Sequence, residues 1–196
     1  MADDEERGST GGWGTLDSRV AYENPWLVVR EDRVRRPDGG AGLYGVVEVR
    51  RPSVFVVALD DEDRVVLVTV DRYTTGPGSV ELPGGGTDGE DPLVAARREL
   101  AEETGLTARE WTRLGGMEAL NGVARAPEHV VLAQGVEPLP AAGAAGTAAE
   151  QASEGISTVR RVPFAQVLAL VADGTIRDGE TIAALAIAGI HLGRFR

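Results

Sequence analysis

The chain has 196 residues, a formal net charge of −11 and 42% apolar residues. This length and composition predict one compact domain with room for an appended unit. The absence of cysteine excludes disulfides and cysteine-ligated zinc. No run of 18 apolar residues and no basic-then-apolar leader is found, so we expect a cytoplasmic protein that does not interact with membranes. The negative charge argues against nucleic acid as a partner.

The N-terminal quarter of the chain predicts a small β unit. Residues 1–12 are acidic and then small and polar, which is typical of a disordered tail. Residues 13–51 predict short strands around 19–22, 26–34 and 43–49. These strands carry apolar side chains but no helix to cover them, so we expect a second copy of the chain to cover them in a homodimer. The alternative is that they fold back on their own domain.

The remainder, residues 52–196, predicts the main domain. Residues 53–59 form a near-continuous apolar run, typical of a strand buried on both faces, and 64–71 follow as its hairpin partner. Further downstream the patterns predict strands over 111–117, 128–133 and 156–162, and helices over 163–172 and 179–190. Residues 135–153 are rich in Ala, Gly and Pro and predict a long mobile surface loop. This order predicts a mixed sheet sandwiched between helices.

A glycine loop and a helix lie between these strands, over residues 84–106. Asp91 is a good N-cap, and Pro92 suits the first helical position. Gly105 can take the left-handed conformation that ends a helix. The sequence therefore predicts a helix with well-defined ends directly after the glycines.

Three glutamates crowd one side of this helix. Glu99, Glu102 and Glu103 fall within roughly 100° of its circumference, and like charges at that spacing are destabilising. Only Arg97 and Arg98 supply nearby positive charge. Such a cluster suits a hard cation such as Mg²⁺ or Mn²⁺, which prefers oxygen ligands. The alternative interpretation is a solvated acidic helix face.

The spacing of the loop and helix together favours the cation site. It follows the pattern G-x5-E-x7-R-E-U-x-E-E-x-G-U, where U is a bulky apolar residue. The matching residues are Gly84, Glu90, Arg98, Glu99, Leu100, Glu102, Glu103, Gly105 and Leu106. The stretch resembles the Nudix box of the Nudix hydrolases. This resemblance implies a Nudix-type α/β/α sandwich around a mixed sheet.

Motifs outside the box are similar to those of the ADP-ribose pyrophosphatase group in that family. They are R-Y at Arg72, E-L-P-G-G from Glu81 to Gly85, and E-x-I starting at Glu154. The resemblance implies Mg²⁺-dependent hydrolysis of the pyrophosphate bond in a nucleoside diphosphate linked to another moiety. ADP-ribose, giving AMP and ribose 5-phosphate, or a nucleotide sugar is the implied substrate. The alternatives are hydrolysis of nucleoside triphosphates or dinucleoside polyphosphates, and a non-catalytic Nudix-like ligand sensor.

The resemblance also implies a ligand set for Mg²⁺ or Mn²⁺. Glu99 and Glu103 are the implied principal ligands. Glu102 and the backbone carbonyl of Gly84 or Gly85 complete the set. Because the chain has three glycines in a row after Pro83, the sequence leaves the choice between these two carbonyls open.

Other residues have implied catalytic roles. Arg98 is expected to orient a box glutamate through a bidentate pair. The general base is expected in the acidic stretch before the last strand, where Glu154 has the favoured position and Glu150 is the alternative. A box glutamate such as Glu99 or Glu102 is a third choice.

Four residues are expected to contact the substrate. Arg72 and Arg51 are candidates for phosphate or ribose contacts, and Glu81 for a contact with the base or the metal. Trp26 from one chain is expected to stack on a nucleobase bound mainly by the other chain of the dimer.

Overall fold

The computed structural model forms two compact units. The described residues are 12–140, 143 and 146–195. One unit comprises residues 1–50 and 118–126, and the other comprises residues 51–117 and 127–196. Apart from Gly12, the predicted tail over residues 1–12 lies outside the described residues. Within the described ranges, no helix is long and apolar enough to cross a membrane.

The N-terminal unit is a four-stranded sheet. Its strands are β1 (Gly14–Glu23), β2 (Leu27–Arg35), β3 (Ala41–Val49) and β9 (Ala124–Arg125), in that spatial order. β1 to β3 pair antiparallel, and β9 adds to β3 in parallel. The Tyr44 hydroxyl donates to the Gly122 carbonyl at 2.5 Å, which holds the β9 segment against β3. The strands predicted over 111–117 and 128–133 leave this segment as a connection within the main domain, whereas in the structure it belongs to the N-terminal unit.

The second unit is built on a seven-stranded sheet. Five of its strands run in the order β11-β5-β4-β10-β8, while β6 pairs with β5 and β7 with β4. The strands are β4 (Ser53–Leu59), β5 (Arg64–Arg72), β6 (Gly76–Glu81), β7 (Gly84–Gly86), β8 (Leu106–Glu118), β10 (Pro127–Pro138) and β11 (Ile156–Pro163). β4 and β10 are parallel, whereas β5 pairs antiparallel with β11, so the sheet is mixed.

Helices cover both faces of this sheet. They are α1 (Pro92–Thr104), α2 (Thr147–Glu154), α3 (Phe164–Ala172) and α4 (Gly179–His191). Val54 and Val56 of β4 pack in one apolar cluster with α1, whereas Val57 and Leu59 pack in the other with α3 and α4. β4 is therefore buried on both faces, as its unbroken apolar run predicted. The predicted sandwich of a mixed sheet between helices is confirmed.

Two segments differ from the predicted elements. In place of one loop over residues 135–153, β10 continues to Pro138 and α2 occupies Thr147–Glu154. Residues 141, 142, 144 and 145 within that prediction lie outside the described residues. The stretch lacks bulky apolar side chains, so no periodicity marks a helix, yet alanine has the highest intrinsic helix propensity. β6 (Gly76–Glu81) also lies in a stretch for which the sequence predicts no strand.

The ends of α1 follow the sequence prediction. The Asp91 carboxylate accepts a hydrogen bond from the Leu93 N–H at 2.9 Å, and Pro92 is the first helical residue. Gly105 ends the helix with φ of 68°, in the left-handed region. Ala96 and Leu100 are fully buried against the sheet. These local features fix the rotation of the helix and therefore the direction of its glutamates.

Candidate active site

The glycine loop lies against the start of β4. β7 pairs antiparallel with it, with Gly84 opposite Phe55 and Gly85 opposite Val54. A Cβ on Gly84 would stand 2.3 Å from the Val54 carbonyl oxygen, and one on Gly85 would stand 2.7 Å from Glu99 Oε1. Only glycine permits this approach of the loop to the strand and the helix.

Both glycines border the glutamates of α1. The Gly84 N–H donates to Glu103 Oε2 at 3.0 Å, and a side chain on Gly85 would collide with the Glu99 carboxylate. The loop and helix therefore form one site. The choice between their carbonyls as a metal ligand stays a prediction.

Arg98 connects the loop with three carboxylates. Its guanidinium donates to Glu90 at 3.0 Å, to Glu99 at 2.8 Å and to Glu102 at 3.1 Å. A fourth bond, at 2.8 Å, reaches the Gly86 carbonyl. Each contact uses one oxygen of the partner, instead of the bidentate pair with one glutamate that the sequence analysis expected. Arg98 holds the whole acidic cluster because its donors are shared among several acceptors.

Glu99 and Glu103 are buried carboxylates with strongly perturbed pKa values. Burial raises the pKa of Glu99 to about 7, assisted by the charges of Glu154 and Glu102 and opposed by Arg98. Burial also raises the pKa of Glu103, with the like charges of Glu154 and Glu99 adding to the effect and the Gly84 N–H opposing it. Perturbed carboxylates of this kind are typical of functional sites.

α2 brings a further carboxylate to this cluster. Glu154, at the end of α2, acts on Glu103 both through its charge and through a hydrogen bond. The helix is tied to α1, since Gln151 Nε2 donates to the Glu103 carbonyl at 2.7 Å and the Thr147 hydroxyl to the Ala101 carbonyl at 3.4 Å. Glu150 is exposed one turn earlier on α2.

Arg72 and Glu81 form a bidentate pair beside the cluster. The Arg72 Nε and Nη2 atoms donate to the two oxygens of Glu81, with a shortest distance of 2.6 Å. Glu81 is buried, and the pKa of Arg72 is raised by its bonds to Glu81 and by the charges of Glu103 and Asp178. Both residues were predicted from the sequence as substrate contacts, but their pairing with each other was not.

A cavity of about 740 Å³ opens at this pair. Its lining comprises Phe55, Arg72, Thr74, Thr75, Gly76, Pro77, Ser79, Glu81, Arg177, Asp178, Gly179 and Glu180. The volume falls within the usual range for ligand pockets, roughly 300–1,000 Å³. Phe55 and the segment from Arg177 to Glu180 were not predicted from the sequence as parts of the site. An N-cap Asp before α4 was visible as a signal, but nothing in the sequence connected it with the box.

Two other predicted substrate residues lie elsewhere. Arg51 pairs with Asp88 of the glycine loop at 2.5 Å, and it is not among the described residues that line the cavity. Trp26 belongs to the N-terminal unit, where its side chain is 74% exposed. Its expected role in a neighbouring chain's site stays a prediction.

The donor set fits a hard divalent cation. Among the described residues, no group of three or more His, Asp or Glu side chains is arranged so that it could hold a metal ion. Arg98 engages Glu99 and Glu102, while Glu103 accepts from the Gly84 N–H. Buried carboxylates with raised pKa values nevertheless have their charged forms stabilised by a nearby cation. Carboxylate and carbonyl oxygens are also the ligands that Mg²⁺ and Mn²⁺ prefer.

Comparison with known families decides the identity of this fold and site. The model of the NUDIX domain matches residues 49–185. The chain belongs to the Nudix family. The model of the nucleoside diphosphate sugar hydrolase N-terminal domain matches residues 13–47 of this Nudix protein, which is most of the sheet formed by β1 to β3.

Individual relatives agree with this assignment. An ADP-ribose pyrophosphatase of Mycobacterium tuberculosis is 32% identical over 178 residues, which is 90% of this chain and 80% of the relative. A CMP-5'-(N-acetyl-N-hydroxy-3-aminopropyl)phosphonate hydrolase of Streptomyces rubellomurinus is 29% identical over 181 residues, which is 91% of this chain and 83% of that relative. The crystal structure of an ADP compounds hydrolase superimposes with a TM-score of 0.76 at 22% sequence identity. The match covers 95% of this chain and 98% of the hydrolase chain. The protein is thus a Nudix hydrolase.

Proposed function

We propose that this Nudix hydrolase cleaves the pyrophosphate bond of a nucleoside diphosphate linked to a sugar or sugar phosphate, with ADP-ribose or a nucleotide sugar as the substrate. The observation that carries the proposal is the buried pair Glu99 and Glu103, held against the glycine loop beside a ligand-sized cavity. The match of residues 13–47 to the nucleoside diphosphate sugar hydrolase N-terminal domain supports this substrate class.

The box residues supply the ligands. Glu99 and Glu103 hold Mg²⁺ or Mn²⁺ together with Glu102 and the carbonyl of Gly84 or Gly85. When bound, the divalent cation neutralises the diphosphate, polarises the attacked phosphorus and lowers the pKa of water. Arg98 keeps the carboxylates oriented, since it is bonded to the loop and to the helix at the same time.

Glu154 is the proposed general base. Its carboxylate lies at the end of α2, within hydrogen-bond reach of Glu103, and it is exposed to solvent and therefore able to accept a proton from water. Glu150 is the alternative on the same helix. The bonds of Gln151 and Thr147 to α1 hold α2 in place, so that the base and the ligands belong to one rigid arrangement.

Arg72 is the proposed phosphate contact. Its guanidinium lies between Glu81 and the Glu103 side of the site, and it lines the cavity. A bidentate pair fixes its orientation, and its remaining donor positions suit a phosphoryl oxygen. A substrate whose diphosphate meets Arg72 and the α1 glutamates extends one end into the cavity.

We further propose a homodimer built through the N-terminal sheet. Among the described residues of the N-terminal unit, the exposed apolar side chains include Trp13, Leu16, Val20, Tyr22, Trp26, Leu43 and Val49. A second copy is an economical cover for such a surface. Light scattering at micromolar concentration should give twice the chain mass, and a monomer mass would contradict the proposal. The cytoplasmic location inferred from composition stays a prediction.

A substrate panel tests the activity. The purified protein with Mg²⁺ is incubated with ADP-ribose, nucleotide sugars, dNTPs and a dinucleoside polyphosphate, and mononucleotide release is measured. We expect the highest kcat/KM for ADP-ribose or a nucleotide sugar, and no turnover after chelation. Preferred hydrolysis of dNTPs or dinucleoside polyphosphates would assign the alternative substrate classes. Tight binding without turnover would assign a sensor.

A further inference from the structure

The cavity beside the active site has two chemically different walls. One consists of Phe55 and the Arg72–Glu81 pair, next to the glycine loop. The other is the segment at the start of α4, with the carboxyl groups of Asp178 and Glu180 and the guanidinium of Arg177. The charges of Glu103 and of Asp178 both act on Arg72 and raise its pKa. A ligand that occupies the whole cavity therefore contacts both Arg72 and the acids of α4.

The α4 wall is firmly positioned relative to the catalytic loop. Asp178 Oδ2 accepts a hydrogen bond from the Thr181 N–H at 2.7 Å and so caps the helix. The buried Thr181 hydroxyl accepts in turn from the Leu82 N–H at 2.9 Å. Leu82 is two residues before Gly84, so the chain that enters the glycine loop is bonded directly to the first turn of α4. Such preorganisation is what a specificity site requires.

The α4 wall offers acceptors for hydroxyl groups. Arg177 supplies a cation beside Asp178 and Glu180, and in the function proposed above the diphosphate itself lies at Arg72 and the α1 side. Carboxylates are strong acceptors, and a single Asp or Glu is a common partner for ribose hydroxyls in nucleotide sites. The remainder of the lining is rich in hydroxyl side chains, namely those of Thr74, Thr75 and Ser79. A polyhydroxylated sugar matches this wall better than a nucleobase does.

We propose that Glu180, assisted by Asp178, binds the vicinal hydroxyls of a ribose-type sugar of the substrate and is a specificity-determining residue of this enzyme. The proposal rests on the function proposed above and specifies which part of the substrate the cavity recognises. Glu180 is the residue to test, because Asp178 also caps α4 and its loss would perturb the helix. ADP-ribose contains two sugars with vicinal hydroxyls, so the experiment must separate them.

The test measures kcat/KM for the wild type and Glu180→Gln with three compounds. These are ADP-ribose, an analogue lacking the 2- and 3-hydroxyls of the distal ribose, and an analogue lacking those of the adenosine ribose. For ADP-ribose we expect Glu180→Gln to lower kcat/KM by about tenfold or more, as for a lost hydrogen bond to a charged group. For the analogue that lacks the bound hydroxyls, the wild type and the variant should agree within about twofold.

The controls separate recognition from folding and from the proposed function. Glu110→Gln changes an exposed glutamate of β8 in the same way and should leave all three values unchanged. Glu180→Asp keeps the charge and should recover part of the loss. An equal penalty for all three compounds, or no penalty for ADP-ribose, would overturn the assignment of Glu180. If the wild type released no mononucleotide from ADP-ribose or any nucleotide sugar, the proposed function itself would fail and this inference with it.

Discussion

Two groups of carboxylates lie at opposite ends of β4 and behave in opposite ways. At the start of the strand, burial and mutual repulsion raise the pKa values of Glu99 and Glu103. In the turn after it, burial also acts to raise the pKa of Asp60, yet hydrogen bonds from the Arg64 N–H and guanidinium and from the Glu62 N–H leave it lowered.

The two groups of carboxylates also differ in how many cations pair with them. Asp60 pairs with Arg64 at 2.8 Å and lies 3.5 Å from Arg161. Its neighbours in the turn are paired as well, Asp61 with Arg109 and Asp63 with Arg194, both at 2.5 Å. At the α1 end, one guanidinium, that of Arg98, is shared among Glu90, Glu99 and Glu102. The turn group, Asp60, Asp61 and Asp63, thus has its charges paired within the fold. The α1 group, Glu99, Glu102 and Glu103, keeps a deficit of positive charge that a metal ion can fill.

The largest expected effect distinguishes the two groups by activity. Glu103→Gln should lower kcat roughly 10³-fold, because a lost ligand removes several kcal/mol of charge stabilisation. The free energy of unfolding without metal should stay equal or rise, since a neutral amide relieves the repulsion at a buried carboxylate. Mononucleotide release and urea unfolding measure the two quantities. Turnover close to that of the wild type would remove Glu103 from the ligand set.

A smaller effect separates the two acids of α2. Glu154→Gln should lower kcat about 10²-fold or more with little change in KM, as expected for loss of a general base. Glu150→Gln on the same helix is the matched control and should stay within about twofold. If Glu150→Gln carried the loss, the base would be Glu150. If neither variant lost activity, the base would be a box glutamate such as Glu102.

The turn group should respond in stability and not in activity. Asp60→Asn removes the charge from a buried side chain that accepts two backbone N–H bonds and pairs with Arg64. We expect a loss of about 2 kcal/mol in the free energy of unfolding, with kcat and KM of the folded protein unchanged. Denaturant unfolding and steady-state kinetics on the same preparation measure both. A large kinetic defect in a stable variant would contradict the structural role.

The smallest expected effect is the pH dependence of the unfolding free energy of Asp60→Asn, compared with that of the wild type. Because the folded pKa of Asp60 is lowered from its ordinary value of 3.8, its stabilisation is present above that value and is lost as pH falls through the folded pKa. The difference in unfolding free energy between the wild type and Asp60→Asn should therefore be constant above about pH 5 and shrink below about pH 4. A difference that grows on acidification would have the wrong sign for this account.

Local patterns predicted much of this molecule. The cap at Asp91, the left-handed Gly105 and the buried run of β4 are properties of short stretches, and the structure has all three. The spacing of Glu99 and Glu103 on one helix fixes their proximity whatever surrounds them. The order of strands and helices was enough to predict the mixed sheet between helices.

Other features depended on residues distant in sequence. α2 is held by bonds from Gln151 and Thr147 to the backbone of α1, and such anchoring leaves no apolar periodicity. The segment around β9 joins the N-terminal sheet through two pairings with β3, too few to leave a strand pattern. The prediction of one loop over residues 135–153 was wrong, because β10 continues to Pro138 and α2 occupies Thr147–Glu154. Neither segment has the apolar periodicity that would have marked it as a strand or a helix.

By itself the sequence determined the family, the glycine loop and the acidic helix, because a motif confined to about 23 residues encodes its own geometry. Only the tertiary structure decided which distant groups meet there. The Arg72–Glu81 pair, Glu154 beside Glu103, and Asp178 with Glu180 in the cavity wall come from separate elements. Their proximity follows from strand order and helix packing. These are determined by the burial of apolar side chains that are distant in sequence, and local residue spacing does not reveal them.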